Sequence, residues 1–301
     1  MMLMDYHNPV LLEESVSGLS IKKNGVYVDV TFGGGGHSRK ILQHLGPEGK
    51  LYAFDQDKDA LSNTVEDQRF TLINKNFRFM KRFLRLHGVK EVDGILADFG
   101  VSSYQFDAPE RGFSTRFDAP LDMRMNQDEE ISAKTVINSY AEDELRRLFW
   151  EYGELRTAPA LARTIVAART LRPINTTFEL KNLLNKYLPR GKQQKILAQI
   201  YQAIRIEVNN ELEALKLFLL SSKEVLKTGG RLSVISYHSL EDRLVKRFIR
   251  NGMFEGEPER DMFGNYTVPF EKIGKLIVPT KEEIKINNRA RSAKLRIAKK
   301  I

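Results

Sequence analysis

Four consecutive glycines, Gly33 to Gly36, stand after a short apolar run and directly before His37 in "DVTFGGGGHS" (29–38). Glycine admits positive φ and lets backbone N–H groups approach a ligand with no Cβ in the way. A tight turn alone would use one or two glycines, so four in a row point to a bound ligand. Asp55 ends "LYAFD" (51–55), roughly 20 residues further on, where a carboxylate can accept hydrogen bonds from both hydroxyls of an adenosine ribose. A second carboxylate, Asp98, closes "VDGILAD" (92–98).

These residues need a scaffold that brings them to one edge. "VYVDVTF" (26–32), "LYAFD", "FTLIN" (70–74) and "VDGILAD" are short β-rich runs separated by helix-compatible text, the pattern of successive βα units. The expected fold class is therefore α/β, a mostly parallel, doubly wound sheet covered on both faces. In such a sheet the glycine turn, Asp55 and Asp98 share the C-terminal strand edge where ligands bind. After Gly100 the rhythm stops: residues 101–130 read as irregular and polar, and 131–205 as helical. Alternation then resumes with a helix over 209–227, a Gly229-Gly230 turn, the strand "RLSVIS" (231–236) and a helix from Ser239. This order predicts a discontinuous domain of residues 1–105 and 209–301, interrupted by a helical insertion over 106–208.

The glycines do not choose the cofactor. "GGGGHS" lacks the third glycine of the dinucleotide fingerprint, and a glycine fingerprint alone is a weak signal. Asp98 is more telling, because a carboxylate at the switch point is unwelcome beside pyrophosphate. S-adenosylmethionine has no phosphate; its ammonium and sulfonium suit acidic and aromatic neighbours. Phe79 is a candidate to stack on adenine, although from the residues alone core packing is the better account of a Phe in "FRFMKRF" (77–83).

Composition narrows the chemistry. The chain of 301 residues has 42% hydrophobic and 29% charged residues and no cysteine, which excludes disulfides, thiolate zinc sites and cysteine-held iron–sulfur clusters. Methylation at a pyrimidine ring carbon through a cysteine adduct is excluded with them. The five histidines (His7, His37, His44, His87, His238) show no paired ligand spacing, so a protein-held catalytic metal is not expected. No apolar run reaches membrane-spanning length and the N-terminus lacks a signal-peptide pattern, which predicts a cytoplasmic protein. A net charge of +9, with eight Lys/Arg against two Glu in residues 281–301, predicts a polyanionic partner, nucleic acid before others. The tail "RARSAKLR" reads either as a last strand with one basic face or as a disordered arm.

The blocks "HNPVLLEE" (7–14), "DVTFGGGGHS", "GILADFGVSSYQFD" (94–107), "RGFSTRFDAPLDMRM" (111–125), "ISYHSLEDRLVKRF" (235–248) and "NNRARSAKLRIA" (287–298) run in order along the whole chain. In them the sequence resembles the RsmH (MraW) family of bacterial ribosomal RNA methyltransferases. The resemblance implies a Rossmann-like methyltransferase domain interrupted by a helical, substrate-recognising domain. It implies transfer of a methyl group from S-adenosylmethionine to the exocyclic N4 of a cytidine in the decoding region of small-subunit (16S) ribosomal RNA. By position it assigns cofactor binding to Gly35, Gly36, His37, Asp55, Phe79, Asp98 and Gln105. Gly34, Tyr104 and Asn288 depart from the family's usual residues, the first from a basic residue and the others from prolines.

Cytosine N4 is a poor nucleophile, so placement must supply much of the rate. The loop after residue 97 reads Asp98-Phe99-Gly100-Val101, without the prolines of many amine methyltransferases. Asp98 is therefore the candidate catalytic residue, orienting the target amine, with cofactor ammonium binding as the rival role. The base must also leave its stack. Arg111, Arg116 and Arg124, interleaved with Phe113, Phe117 and Met123, suit phosphate contacts and base stacking, a reading the resemblance favours over the solvated loop with a few aromatic anchors that the residues alone suggest; His238, Ser239 and Arg291 are further candidates for substrate RNA. Ser239 is equally a helix cap. The resemblance implies small-subunit ribosomal RNA or the ribosomal subunit as the partner; no membrane partner is expected, and a homodimer stays open. Two other functions remain to be weighed: a nicotinamide-dependent oxidoreductase on the same fold, and a non-catalytic RNA-binding assembly factor.

Overall fold

The computed structural model describes residues 9–258, 262–263 and 267–301; His7 and the start of "HNPVLLEE" lie outside these. The chain forms two compact units, one of Met1–Gly100 with Leu212–Ile301, the other of Val101–Glu211.

The first unit is built on seven strands: β1 (Val26–Asp29), β2 (Lys50–Phe54), β3 (Phe70–Ile73), β4 (Val92–Asp98), β5 (Leu226–Ser236), β6 (Phe270–Ile277) and β7 (Lys294–Lys300). They lie in the order β3-β2-β1-β4-β5-β7-β6. The pairs from β3 to β5 are parallel, whereas β7 runs antiparallel to both β5 and β6. Alternate residues pack to opposite faces, as the period of a strand requires. Val28, Ile95 and Val234 join Leu84, Phe218 and Phe248 in one cluster, while Tyr27, Leu51 and Leu96 join Val16, Ile41 and Leu42 in another. The sheet is thus apolar on both faces and covered on both.

Three boundaries differ from the sequence expectation. β1 ends at Asp29, although Val30 N and Phe32 N still donate to Leu96 O (3.0 Å) and Phe54 O (2.9 Å), so the chain hugs its neighbours while leaving the ladder. The helix expected to reach 227 ends at Val225, and β5 begins at once, with a register break opposite Val92 and Gly94 that absorbs residues 227–230. β6, "FEKIGKLI", had no sequence signal because it is a mostly exposed edge strand that carries Glu271, Lys272 and Lys275. The basic tail is ordered rather than an arm: Asn288–Ser292 form a 3-10 turn, and in β7 Lys294 and Arg296 share a face and both pair with Asp242.

The second unit is helical, with Leu145, Phe149, Leu161, Ile165, Leu180, Ile200 and Ile204 in one core. Its main helices are Glu142–Glu151, Ala158–Arg169, Thr177–Leu184 and Gln193–Asn209. Thr176 starts the third through a capping box: its Oγ1 accepts from Glu179 N (3.2 Å) and Glu179 Oε2 from Thr176 N (3.3 Å). Among the described residues, no helix is long and apolar enough to cross a membrane.

Candidate active site

The glycine loop joins β1 to the helix Gly36–His44. Gly33 and Gly35 have φ of 49° and 75°, values that disfavour any residue with a Cβ. At Gly36 a Cβ would fall 2.2 Å from Pro9 Cγ. At least three of the four glycines therefore answer to the path of the chain itself, which the sequence could not separate from a demand made by a ligand.

Acidic side chains from three strand ends surround the loop. Asp55, just past β2, accepts from Gly33 N (2.8 Å) and Asp57 N (2.9 Å). It clamps the loop, and burial pushes its carboxyl up to about 6 despite both bonds. Asp29, at the end of β1, is fully buried and accepts from Ser38 Oγ (2.7 Å) and Thr31 N (3.1 Å). Burial raises it to about 6 as well. Asp29 was not among the expected residues; its place four positions before the glycines in the quoted motif was the only hint.

Asp98 ends β4. Its N–H donates to Thr31 Oγ1 (2.7 Å), and its Oδ1 accepts from the Tyr237 hydroxyl (2.7 Å). The side chain is 21% exposed, yet burial pushes its pKa up to about 6, helped by Asp29 and Glu241 and opposed by the Tyr237 bond and by the pull that His37 exerts only when its ring is protonated. His37 is buried, and its Nε2 lies 3.2 Å from the Val10 carbonyl oxygen. That oxygen can only accept, so Nε2 carries a proton. Burial lowers the imidazole's pKa, so at neutral pH Nδ1 is a lone-pair acceptor. It faces Asp98 Oδ2 at 3.9 Å. Two acceptors this close call for a donor between them.

The other expected residues are distributed differently. Phe79 is 39% exposed, under the Arg78 guanidinium at 4.6 Å. Gln105 is buried in the helical unit, where its Oε1 accepts from Ser102 N (3.1 Å) and its N donates to Ser102 Oγ (3.2 Å) in a capping box. Arg111 does not present a cation to solvent. It is 2% exposed, and Nη2 donates to Arg124 O (3.0 Å) and Met125 O (3.1 Å). Arg124 is held by Asp122 through two bonds of 2.9 and 2.7 Å. Phe113 and Met123 lie in the core, leaving Arg116 and Phe117 exposed. His238 rather than Ser239 caps the helix Ser239–Asn251, its Nδ1 accepting from Glu241 N at 3.4 Å. Arg291 is exposed.

A sheet of order β3-β2-β1-β4-β5-β7-β6 with an antiparallel β7, a glycine loop after β1 and carboxylates ending β1, β4 and following β2, defines a Rossmann-like methyltransferase. The chain belongs to the MraW methylase family, whose model matches residues 4–301. It is 72% identical over 298 residues to a ribosomal RNA small subunit methyltransferase H of Flavobacterium johnsoniae, covering 99% of each protein. It is 68% identical to the protein of the same name from Christiangramia forsetii, covering all of both. Among solved structures, an rRNA methylase from Streptococcus thermophilus is similar at 12% identity and a TM-score of 0.43, over 100% of this chain and 99% of that one.

Proposed function

We propose that this chain transfers a methyl group from S-adenosylmethionine to the exocyclic N4 of a cytidine in the decoding region of small-subunit ribosomal RNA. The class of reaction rests on membership of a methylase family, which sets aside the oxidoreductase alternative. The RNA substrate rests on the full-length similarity to small subunit methyltransferases. The observation that carries the site is the pair of acceptors His37 Nδ1 and Asp98 Oδ2, 3.9 Å apart. An ammonium answers that arrangement, whereas pyrophosphate would be repelled by three carboxylates.

In this reading His37 and Asp98 receive the ammonium of the cofactor, Asp55 the ribose hydroxyls, and Phe79 the adenine face. When bound, the cofactor supplies an electrophilic methyl on a cationic sulfur. The chain's own residues bind and orient: Tyr237 holds Asp98 in place and favours its ionised form, and Thr31 fixes the backbone at the end of β4. Orientation alone can account for a large part of the rate when the amine is a weak nucleophile. We assign substrate recognition to the helical unit, with Arg116 and Phe117 exposed and suited to RNA, and place the enzyme in the cytoplasm.

Incubation with tritiated S-adenosylmethionine and purified small subunits, or their protein-free RNA, tests the proposal. Label in the RNA is the expected result; label in neither substrate would leave a binding protein rather than an enzyme.

A further inference from the structure

The helix Met80–Leu86 and the 3-10 turn Phe77–Phe79 ahead of it carry Arg78, Lys81, Arg82 and Arg85. These line an open depression of about 490 Å³, together with Phe79 and Leu86. Met80 and Leu84 point the other way, into the core of the sheet, so the cations fall on the opposite face, at helical spacing. The element follows β3, which puts its N-terminal end at the strand edge shared by the glycine loop and the acids.

A solvated helix face is ordinarily stabilised by opposite charges four residues apart. Here Lys81 and Arg85 are like charges at that spacing within the helix, which destabilises it by a few tenths of a kcal/mol. Lys81 is ion-paired with Glu224. Glu224 is held below its usual range by the hydrogen bond from Lys81 and by the charges of Lys81, Arg85 and Lys223. Among the described residues Arg82 and Arg85 have no ion pair within 4.0 Å, and both are exposed. The stripe works against its own helix and leaves two exposed guanidinium groups, those of Arg82 and Arg85, without a carboxylate partner among the described residues, an arrangement that a polyanion would stabilise.

We propose that this stripe is a docking groove for the ribose-phosphate backbone of the substrate RNA on the methyltransferase unit, beside the cofactor pocket. The proposal rests on the RNA methylation reading above. The occupant is RNA rather than an acidic protein, because the sheet edge it adjoins is where the target base must arrive.

The test is the salt dependence of binding to a protein-free transcript of small-subunit ribosomal RNA, measured by filter binding. Each phosphate contact contributes roughly 0.7–0.9 to the slope of log affinity against log salt. Arg82→Glu/Arg85→Glu is expected to lower that slope by about 1.5 and to weaken binding at least tenfold, with S-adenosylhomocysteine affinity unchanged. Arg82→Gln/Arg85→Gln, a gentler change, should lower the slope by a similar amount with a smaller loss of affinity. Lys272→Glu/Lys275→Glu, on the exposed edge strand β6, makes the same change in net charge and should leave the slope near that of the wild type. An unchanged slope in both arginine variants, or an equal fall in the lysine control, overturns the groove. So does a loss of affinity for intact subunits with none for protein-free RNA, which would mark a protein-binding face. If instead the wild type labels no RNA in the tritium assay, it is the methyltransferase reading that fails.

Discussion

The Tyr237 hydroxyl donates to Asp98 Oδ1 at 2.7 Å across 139 residues of sequence, leaving Oδ2 as the carboxylate oxygen that faces His37. A bond donated to a carboxylate favours its charged form, and here it works against burial that has raised Asp98 to about 6. Ammonium binding requires the ionised acid, so affinity for S-adenosylhomocysteine should fall as pH drops through about 6, roughly tenfold per unit below it. Tyr237→Phe removes the bond and should move that midpoint upward by about one unit, since a hydrogen bond to a charged group contributes roughly 1.5 kcal/mol or more. Calorimetric titrations at several pH values check this. A midpoint that stays put, or moves down, would show that the tyrosine does not govern the acid.

Asp29 lends itself to a stability measurement. Its folded pKa, about 6, lies above that of an unfolded aspartate, so the folded chain holds this proton more tightly. The corresponding stabilisation is complete below the unfolded pKa and is lost as pH rises through about 6. Asp29→Asn keeps the shape and removes the charge. It should stabilise the protein at pH 8 by up to about 3 kcal/mol and change little at pH 4, as read from urea denaturation. Destabilisation at pH 8 would mean that the Ser38 and Thr31 bonds outweigh burial.

Arg111 separates a structural role from a substrate one. Its guanidinium is buried on two carbonyls of the segment that Asn209 also holds, through bonds to Met125 N (2.7 Å) and Met123 O (2.8 Å). Arg111→Ala should destabilise the helical unit by about 3 kcal/mol, from lost packing and carbonyls left without donors. RNA affinity per folded molecule should change less than twofold. Denaturation and RNA binding on the same preparation would decide, and a large loss of affinity without loss of stability would restore the substrate role.

What the sequence disclosed follows from how local each feature is. The first strands and the two acids that terminate their runs were legible because a short, continuous apolar run and a terminal carboxylate are both written within a few residues. The Tyr237 contact was not, since it links positions that only the sheet brings together. Asp29 was hidden inside an apolar strand run, where an acid gives no periodic signal. Arg111 and Phe113 misled because "RGFSTRF" has the composition of an RNA-binding loop, and burial of an arginine is decided by distant carbonyls. β6 escaped notice because an edge strand protected by charges lacks the apolar pattern of a buried one.

The most direct test of the pocket compares two nucleosides that differ only at the amino acid end. S-adenosylhomocysteine carries the ammonium, and 5′-methylthioadenosine does not. Calorimetry on the wild type and on Asp98→Asn, at pH 8, should show at least a tenfold loss of S-adenosylhomocysteine affinity in the variant and no loss for 5′-methylthioadenosine. Equal losses for both ligands, or none for either, would contradict the assignment of Asp98 and His37 to the ammonium.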